Sequence, residues 1–244
     1  MDLARNTVLV TGGASGIGWA LAERFVKAGS EVIICGRRED KLREAKAQFP
    51  ALHTRICDVG QEADRIALFE WATAKFPAVN VLVNNAGIQR RVQLTENQQP
   101  WQEHQAEIAI NLEAPIHLAL LFIPHLQQRP QAYIINITSG LAFVPMAKAA
   151  VYSATKAALH SFTLSLRYQL SQTSVKVLEI APPAVNTDLG GPGLHTFGVP
   201  LPEFVDAVMA RIANGEEEVG YGTSEFSRNA SRTELDAIFK RMNP

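Results

Sequence analysis

The stretch that decides the fold is TVLVTGGASGIG, which occupies residues 7–18. It opens with a short apolar, β-branched run that predicts a buried strand, and glycines follow at positions 12, 13, 16 and 18. Glycine lets the backbone turn sharply and approach a ligand closely. A helix that starts here would offer unpaired N–H groups and a positive dipole end to a pyrophosphate. A tight turn without a ligand is the alternative, so the surrounding pattern matters.

Strand-like and helix-like segments alternate along the rest of the chain. Short β-branched runs separated by helical patterns are typical of a parallel sheet that helices cover on both faces. Strands are predicted at 7–10, 31–35, 54–57, 79–83, 132–138, 175–181 and near 218–221. Helices are predicted at 19–28, 41–49, 63–76, 101–127, 151–171 and 234–242. The pattern predicts one α/β domain over residues 1–244, a Rossmann-type doubly wound sheet.

Residues 182–202 break this pattern, because they are rich in Pro and Gly and show little periodicity. A long irregular segment inside a compact domain is often a lid or a binding loop, and we expect a substrate lid here. Several apolar side chains either line a pocket beside it or belong to ordinary core: Leu141, Phe143, Met146, Leu189, Phe197 and Phe204. Arg90 and Arg91 follow the fourth strand and either meet an anionic substrate group or are solvated loop charges.

Composition excludes several classes of function. Of 244 residues, 47% are hydrophobic, which is enough for a large core, and the net charge of −1 without a basic tract argues against nucleic-acid binding. The two cysteines, Cys35 and Cys57, lie in apolar runs without metal-ligand spacing, so we expect buried, reduced thiols and no metal site. No export signal is recognised, and the apolar run at 114–123 is too short to span a bilayer. A cytoplasmic protein without a membrane span is expected.

The end of the second predicted strand bears on the choice of nucleotide. In dinucleotide-binding folds an acidic residue beyond the glycines commonly bonds the ribose of NAD, whereas a nearby Arg accommodates the phosphate of NADP. Here the strand ends in Cys35, Gly36, Arg37 and Arg38. Gly36 has no side chain to accept a hydrogen bond, and Arg donates to phosphate in a bidentate fork. The sequence favours NADP (NADPH); the alternative is a pair of solvated turn arginines balanced by the acidic residues that follow.

A tyrosine and a lysine stand four residues apart at Tyr152 and Lys156, and Ser139 lies upstream. On a helix this spacing puts both side chains on one face. An ammonium beside a phenol favours the phenolate and lowers its pKa, which would suit proton transfer to or from a carbonyl oxygen. By itself the pair is also a common coincidence of helical spacing.

Taken together, these motifs resemble those of the short-chain dehydrogenases/reductases over most of the chain. The matching motifs, in chain order, are Thr-Gly-x-x-x-Gly-x-Gly at 11–18, Asp58 with Val59, Asn-Asn-Ala-Gly at 84–87, Asn111, Ser139, and Tyr-x-x-x-Lys at 152–156. Two departures stand out. Pro182-Pro183 replaces the family's Pro-Gly after the sixth strand, and the tail lacks the family's Val-Asp-Gly-Gly ending, which puts the usual tetramer in doubt. The run at 111–117 and the tail resemble a subgroup encoded near cell-envelope D-alanylation genes.

The resemblance implies a role for each motif. Tyr152 is expected to be the general acid/base, Lys156 to hold the nicotinamide ribose and depress the pKa of Tyr152, and Ser139 to bond the substrate oxygen. Asn111 is expected to interrupt its helix and support a water that links Lys156 to solvent. The cofactor contacts predicted from the motifs and the resemblance are Thr11, Gly12, Ser15, Gly16, Ile17, Gly18, Arg37, Arg38, Asp58, Val59, Asn85, Ala86, Gly87, Tyr152, Lys156, Pro182, Val185 and Thr187.

Two functions from different classes follow from these residues. The first is an NADP-dependent oxidoreductase that acts on a small carbonyl or alcohol; the second is an NADP(H)-binding sensor with little turnover. The complete set of Asn111, Ser139, Tyr152 and Lys156 favours the enzyme, because a sensor does not need an acid/base. A serine hydrolase is disfavoured, since Ser139 does not lie in a Gly-x-Ser-x-Gly elbow. In the family the helices near 103–127 and 151–171 often pair between subunits, so a homodimer is expected.

Overall fold

In the computed structural model, which describes residues 1–96 and 99–243, all the described strands join one parallel sheet. The strands are β1 (Thr7–Thr11), β2 (Glu31–Gly36), β3 (His53–Ile56), β4 (Val81–Asn84), β5 (Ala132–Ile137), β6 (Val175–Ala181) and β7 (Glu218–Gly220). The sheet is 7-stranded and has the order β3-β2-β1-β4-β5-β6-β7. The predicted doubly wound sheet is therefore confirmed.

Helices cover both faces of this sheet. They are α1 (Gly16–Lys27), α2 (Glu39–Gln48), α3 (Glu62–Lys75), α4 (Trp101–Ile108), α5 (Ala114–Leu126), α6 (Ala150–Leu170), α7 (Leu201–Ala213), α8 (Thr223–Asn229) and α9 (Arg232–Met242). Because successive strand residues point to opposite faces, Val8 and Val10 join the core under α1, α2 and α7, whereas Leu9 joins the core under α3, α5 and α6. Cys35 and Cys57 are free and buried in the second of these cores, as expected.

The strand order reverses between β1 and β4, which pair with each other although two strands separate them in the sequence. At such a switch point the loops after neighbouring strands run in opposite directions, and a crevice opens at the carboxyl ends. The glycine turn after β1 and the Asn-Asn-Ala-Gly segment after β4 therefore meet at this crevice.

Several elements differ from the sequence-based expectation. The helix predicted at 101–127 is interrupted by a π-helical turn at Ala109–Glu113, between α4 and α5. Helices α7 and α8 were not predicted, because α7 follows the Pro- and Gly-rich segment directly and has a proline in its first turn. The last helix begins at Arg232 rather than at Glu234, since Ser231 and Glu234 form a capping box.

The helical stretch Trp101–Leu126 is long and apolar enough to cross a membrane when only length and composition are considered. Much of it is packed inside the protein, with 44% of its most apolar window buried. Ala114, Leu118 and Phe122 belong to the core between α3 and the sheet. Core helices of this kind satisfy the same criterion, so the stretch is weak evidence for a membrane span.

Candidate active site

A cleft of about 1590 Å³ runs along the carboxyl ends of the strands. Most of the residues predicted from the sequence line it together: Gly12, Ser15, Gly16, Ile17, Arg37, Arg38, Asp58, Val59, Asn85, Ala86, Gly87, Ser139, Tyr152, Lys156, Pro182, Val185 and Thr187. Three predicted residues, Thr11, Gly18 and Asn111, lie behind the cleft wall and not on it. The structure therefore brings the predicted nucleotide end and the predicted catalytic end into one continuous space.

The glycine turn packs tightly against the segment after β4. Gly12 has a φ of +63°, and a Cβ placed there would lie 2.9 Å from the Cα of Ala86. A Cβ on Gly18 would lie 2.2 Å from the side-chain nitrogen of Asn85. The hydroxyl of Thr11 accepts hydrogen bonds from the backbone N–H groups of Asn85 and Ala86 at 3.0 and 3.1 Å. Thr11 and Gly18 thus hold two walls of the crevice together and do not line it.

The start of α1 and the end of β2 form the basic end of the cleft. Ser15 precedes α1 but makes no side-chain capping bond, which leaves the first N–H groups of the helix without a side-chain partner. The Arg38 guanidinium donates to the Ser15 hydroxyl at 2.8 Å, and Arg37 and Lys41 line the same end. Open helix N–H groups beside three cationic side chains fit a phosphorylated nucleotide.

The tyrosine and the lysine lie on the first turns of α6, where the sequence placed them. Tyr152 is 6% exposed, and the Lys156 ammonium lies 5.6 Å from the centroid of its ring. The ammonium donates a hydrogen bond to the Ile137 carbonyl at 2.8 Å, at the end of β5. Ser139 follows that strand, and its hydroxyl accepts the Leu141 N–H at 3.1 Å. All three side chains face the same part of the cleft.

The expected direction of the Tyr152 shift is wrong for this structure. Burial raises the pKa of Tyr152 to about 12, although a hydrogen bond with Ser139 acts in the opposite direction. Burial also lowers the pKa of Lys156 to about 8, so that its ammonium group loses a proton more easily than it would in water. Burial is the largest cause of both shifts, and the ammonium is bonded to the Ile137 carbonyl. Tyr152 therefore carries its proton at neutral pH.

Asn111 occupies the π-helical turn, so the predicted interruption of its helix is confirmed. Its amide accepts the Ile88 N–H at 2.9 Å, donates to the Ile88 carbonyl at 2.8 Å and reaches the Thr155 hydroxyl at 3.3 Å. A cavity of about 10 Å³ borders Asn111, Lys156 and Asn84, and the side-chain oxygen of Asn84 is buried without a hydrogen-bond partner among the described residues. This volume is near the lower limit of about 10–15 Å³ for one water molecule.

Sequence reasoning missed several residues that shape the cleft. Glu107 is 1% exposed, accepts the Arg90 backbone N–H at 3.0 Å, and is close enough to Tyr152 to raise its pKa. The feature of the sequence that could have pointed to Glu107 is its position one helical turn before Asn111.

Other residues that sequence reasoning missed line the cleft itself. They are Gln89, His195 and three residues of α9: Ile238, Arg241 and Met242. No motif marked the tail, which reaches the cleft because the Asn243 side chain bonds the backbone of Pro145 and Ala147.

The suggested pocket walls are only partly correct. Leu141, Met146, Leu189 and Phe197 line the cleft. Phe204, by contrast, is fully buried in α7 on the far side of the sheet, where it fills ordinary core. Phe143 is turned away from the cleft, and its ring packs edge-on against His160.

A buried charged cluster lies behind the catalytic end. Glu179 is completely buried in β6, accepts the Thr138 hydroxyl at 2.6 Å and pairs with His160 at 2.9 Å. The sequence predicted no metal site, yet His160, Glu179 and Glu218 present ligand atoms within 4.8 Å of one another. Their partners are internal, because Glu218 also pairs with Arg167 and Arg228. The cluster neutralises a buried carboxylate beside the strand end that carries Ser139.

This pairing predicts a pH-dependent contribution to stability. The hydrogen bond that the His160 ring donates to Glu179 raises the pKa of His160 above its ordinary value near 6.5, although burial opposes the shift. The contribution is fully present below the unfolded pKa of about 6.5 and is lost as pH rises through the folded pKa. His160→Gln should lower the free energy of unfolding by about 1–3 kcal/mol at pH 6 and by clearly less at pH 9.

Urea unfolding at both pH values measures this difference. His53→Gln is the matched control, since His53 pairs with Glu31 near the surface, 31% of its side chain being exposed. An equal loss for His160→Gln at both pH values would contradict the charged pair.

Comparison with known proteins agrees with this geometry. A family model described as short chain dehydrogenase matches residues 6–194. The chain belongs to this family. Membership of this family accounts for the ordered motifs along the cleft. It also identifies the protein as a nucleotide-binding oxidoreductase.

The oxidoreductase DltE of Bacillus subtilis strain 168, described as uncharacterized, is 47% identical over 100% of this chain and 98% of its own length. This likeness confirms the narrower resemblance that the sequence suggested. A short chain dehydrogenase of Burkholderia cenocepacia J2315, solved with NADP, is 26% identical, with a TM-score of 0.84 over 98% of this chain and 99% of that one. A 3-ketoacyl-(acyl-carrier-protein) reductase of Brucella melitensis, solved with NADH, is 27% identical, with a TM-score of 0.82 over 91% and 99%. The short-chain dehydrogenase fold thus accommodates either nucleotide.

Proposed function

We propose that this short-chain dehydrogenase transfers a hydride between NADP and a small carbonyl or alcohol substrate, with Tyr152 as general acid/base. The observation that carries the proposal is the single cleft that joins Tyr152, Lys156 and Ser139 to the basic end at Arg37 and Arg38. When bound, the nicotinamide supplies or accepts the hydride. Residues of the protein orient the substrate and transfer the proton. No observation favours the alternative of a sensor.

Tyr152 and Ser139 handle the substrate oxygen in this proposal. With a pKa of about 12, Tyr152 holds its proton at neutral pH and can donate it to a carbonyl oxygen that receives negative charge. Ser139 donates a second hydrogen bond to the same oxygen and fixes its position. Burial of the phenol suits reduction of a carbonyl more than oxidation of an alcohol, since oxidation requires the phenolate as a base.

Lys156 and Asn111 resupply the proton that Tyr152 gives away. The Lys156 pKa of about 8 lets its ammonium release a proton near neutral pH. The cavity of about 10 Å³ beside Lys156, Asn84 and Asn111 is polar and has room for about one water molecule, which would connect the ammonium to solvent. Lys156, which lines the cleft, would also donate a hydrogen bond to a hydroxyl of the nicotinamide ribose.

The preference for NADP rests on the donors at the end of β2. Arg37, Arg38 and Lys41 line the cleft, and the space over Gly36 is open. Cationic side chains there can bond the 2′-phosphate of NADP, and Gly36 provides no carboxylate for the ribose of NAD. The Burkholderia cenocepacia structure bound to NADP supports this choice. The Brucella melitensis reductase bound to NADH, however, resembles this chain to about the same degree. The side chains therefore carry the argument.

A screen of the full-length protein against a panel of ketones, aldehydes and oxo acids with NADPH tests the function. Consumption of NADPH that depends on one of these carbonyl compounds is expected, at a higher kcat/KM than with NADH. Tight binding of NADPH without turnover on the whole panel would contradict the proposed enzyme. We further propose that the protein acts in the cytoplasm.

A homodimer is also proposed, formed through the exposed apolar residues of α5 and α6. Leu120 is 59% exposed, Leu164 is 42% exposed and Tyr168 is 83% exposed, all on helices that otherwise pack into the core. We expect light scattering to give twice the mass of one chain. Leu164→Glu combined with Tyr168→Glu should yield monomers, because two buried carboxylates would face each other across the two-fold axis.

Phe226→Glu serves as the control for this experiment, since Phe226 is 56% exposed on α8, away from α5 and α6. A wild-type mass equal to one chain would refute the dimer.

A further inference from the structure

We propose that the substrate carries an anionic group, which Arg91 binds beside His195 in the cleft that Tyr152 also lines, while the side-chain oxygen of Gln89 accepts a hydrogen bond from a donor on the substrate. This inference rests on the proposed function, because it assigns the substrate class of the same site. Its starting point is a small polar subsite that neither hydride transfer nor nucleotide binding uses.

The segment that follows Gly87 places these side chains near the reacting end of the cleft. Asn111 bonds both backbone groups of Ile88, and Glu107 accepts the Arg90 N–H while lying within electrostatic reach of the Tyr152 phenol. The Val92 N–H donates to the Lys148 carbonyl at 2.8 Å, which fixes the far end of the segment. Hydrogen bonds with Asn111, Glu107 and Lys148 therefore fix this segment along the cleft that Tyr152 also lines.

Two buried polar side chains in this subsite have unused hydrogen-bonding capacity. Gln89 and His195 are each 7% exposed, and both line the cleft. The side-chain oxygen of Gln89 has no hydrogen-bond partner among the described residues, and the Nδ1 of His195 has none of good geometry, although the backbone of Leu189 and Thr187 lies close to the ring. Leaving such groups unpaired is costly, and in native proteins they are usually satisfied by a ligand, an ion or water. The subsite is thus built to bond a polar group.

Arg91 gives the subsite its charge. Its guanidinium lies 3.4 Å from the Nε2 of His195, and no carboxylate pairs with it in the described part of the chain. Arg90 differs, because its guanidinium is neutralised by Glu103. A guanidinium only donates hydrogen bonds, so the His195 ring must accept at Nε2 and remain neutral. Burial and the Arg91 charge both lower the pKa of His195, in agreement with a neutral ring.

Few acidic groups offset this positive charge. Asp188, in the lid, is exposed and lines the cleft, whereas Glu107 does not line it and points to the Arg90 backbone. Arg241, on α9, adds a second cation to the lining. Arg91 is itself exposed at the cleft surface, and a guanidinium without a carboxylate partner favours a carboxylate or phosphate over a neutral group.

The lid limits the size of the substrate. A Cβ placed on Gly190 would lie 3.0 Å from the backbone oxygen of Gln89 and 3.6 Å from its side-chain oxygen, so the lid touches the subsite directly. We therefore infer that the anion bound between Arg91 and the lid belongs to the same small molecule as the carbon that reacts at Tyr152. Small oxo acids and hydroxy acids, or their phosphate counterparts, have this arrangement.

Matched pairs of carbonyl compounds test the inference with the full-length protein and NADPH. The pairs are acetoacetate with its methyl ester, and dihydroxyacetone phosphate with dihydroxyacetone, which separate a carboxylate from a phosphate. In at least one pair the anion should have the higher kcat/KM. Arg91→Met should raise the KM for that anion about 10- to 100-fold, the value of a lost charge-assisted hydrogen bond, and leave the neutral partner's KM and the NADPH affinity unchanged. Lys148→Met removes an exposed charge nearby and is expected to change none of these values.

Calorimetry on the protein saturated with NADP⁺ keeps the inference testable without turnover. Binding of acetoacetate or dihydroxyacetone phosphate that Arg91→Met abolishes would support the anionic subsite even if no compound were reduced, in which case the proposed enzyme function would fail alone. Equal kinetics for anions and neutral partners, unaffected by Arg91→Met, would overturn the subsite and leave the oxidoreductase intact. Absence of both binding and turnover of the anions would also overturn it.

Discussion

Replacing Tyr152 by Phe is expected to lower kcat by roughly 10²–10⁴-fold, the usual contribution of a positioned general acid. The phenyl ring fills the same space in the wall of the cleft, where Tyr152 is 6% exposed, so the fold and the nucleotide end should be unaffected. NADPH binding should therefore persist within about threefold, because the residues proposed to hold the phosphates and the adenosine, such as Ser15 and Arg38, line the other end of the cleft. Steady-state kinetics on any carbonyl identified by the screen, with fluorescence titration of NADPH, measure both quantities.

The control for this variant is Tyr168→Phe, since Tyr168 stands on the same helix and is 83% exposed. It should retain wild-type kcat. Activity retained by Tyr152→Phe would refute proton transfer by the phenol and would leave Ser139 as the group that stabilises the substrate oxygen. A pH profile adds a second criterion: because the Tyr152 pKa is about 12, reduction should not be limited by loss of the phenol proton below about pH 9.

The sequence predicted the sheet well, because two different periodicities alternate along it. Residues 8–10 and 32–35 are continuous apolar runs, and such runs are read reliably when both faces of a strand are covered. The glycine turn could be predicted for a similar reason, since Gly12 adopts a φ that few other residues accept. Local chemistry thus determines both the strand and the turn that follows it.

Tertiary context explains the failures. Tyr152 and Lys156 were predicted to share a helix face, and they do, but the sequence could not reveal that burial would outweigh charge in setting the Tyr152 pKa. The burial of the phenol depends on the elements that the fold packs around it, and the Lys156 ammonium donates to the Ile137 carbonyl at the end of β5. Likewise, Phe204 looked like a possible pocket wall until the position of α7 placed it in the core.

The second large effect concerns the nucleotide. Arg37→Ala combined with Arg38→Ala should weaken NADPH binding roughly 10- to 100-fold, while NADH binding should change by less than about threefold. The expected loss of NADPH affinity is modest for two guanidiniums because both are exposed at the cleft mouth, where solvent screens their charge. For the same reason, the preference of the wild-type protein for NADPH over NADH should shrink as salt is raised from 50 to about 500 mM.

Arg43→Ala is the matched control, because Arg43 lies on α2, pairs with Glu39 at 4.0 Å and does not line the cleft. Titration of each variant with both nucleotides gives the required ratio of dissociation constants. An equal loss for NADPH and NADH would mean that Arg38 acts through its bond to Ser15 at the start of α1, a site that both nucleotides share. A selective loss for NADPH would instead assign the 2′-phosphate to the guanidiniums after β2, since no other part of the two nucleotides differs.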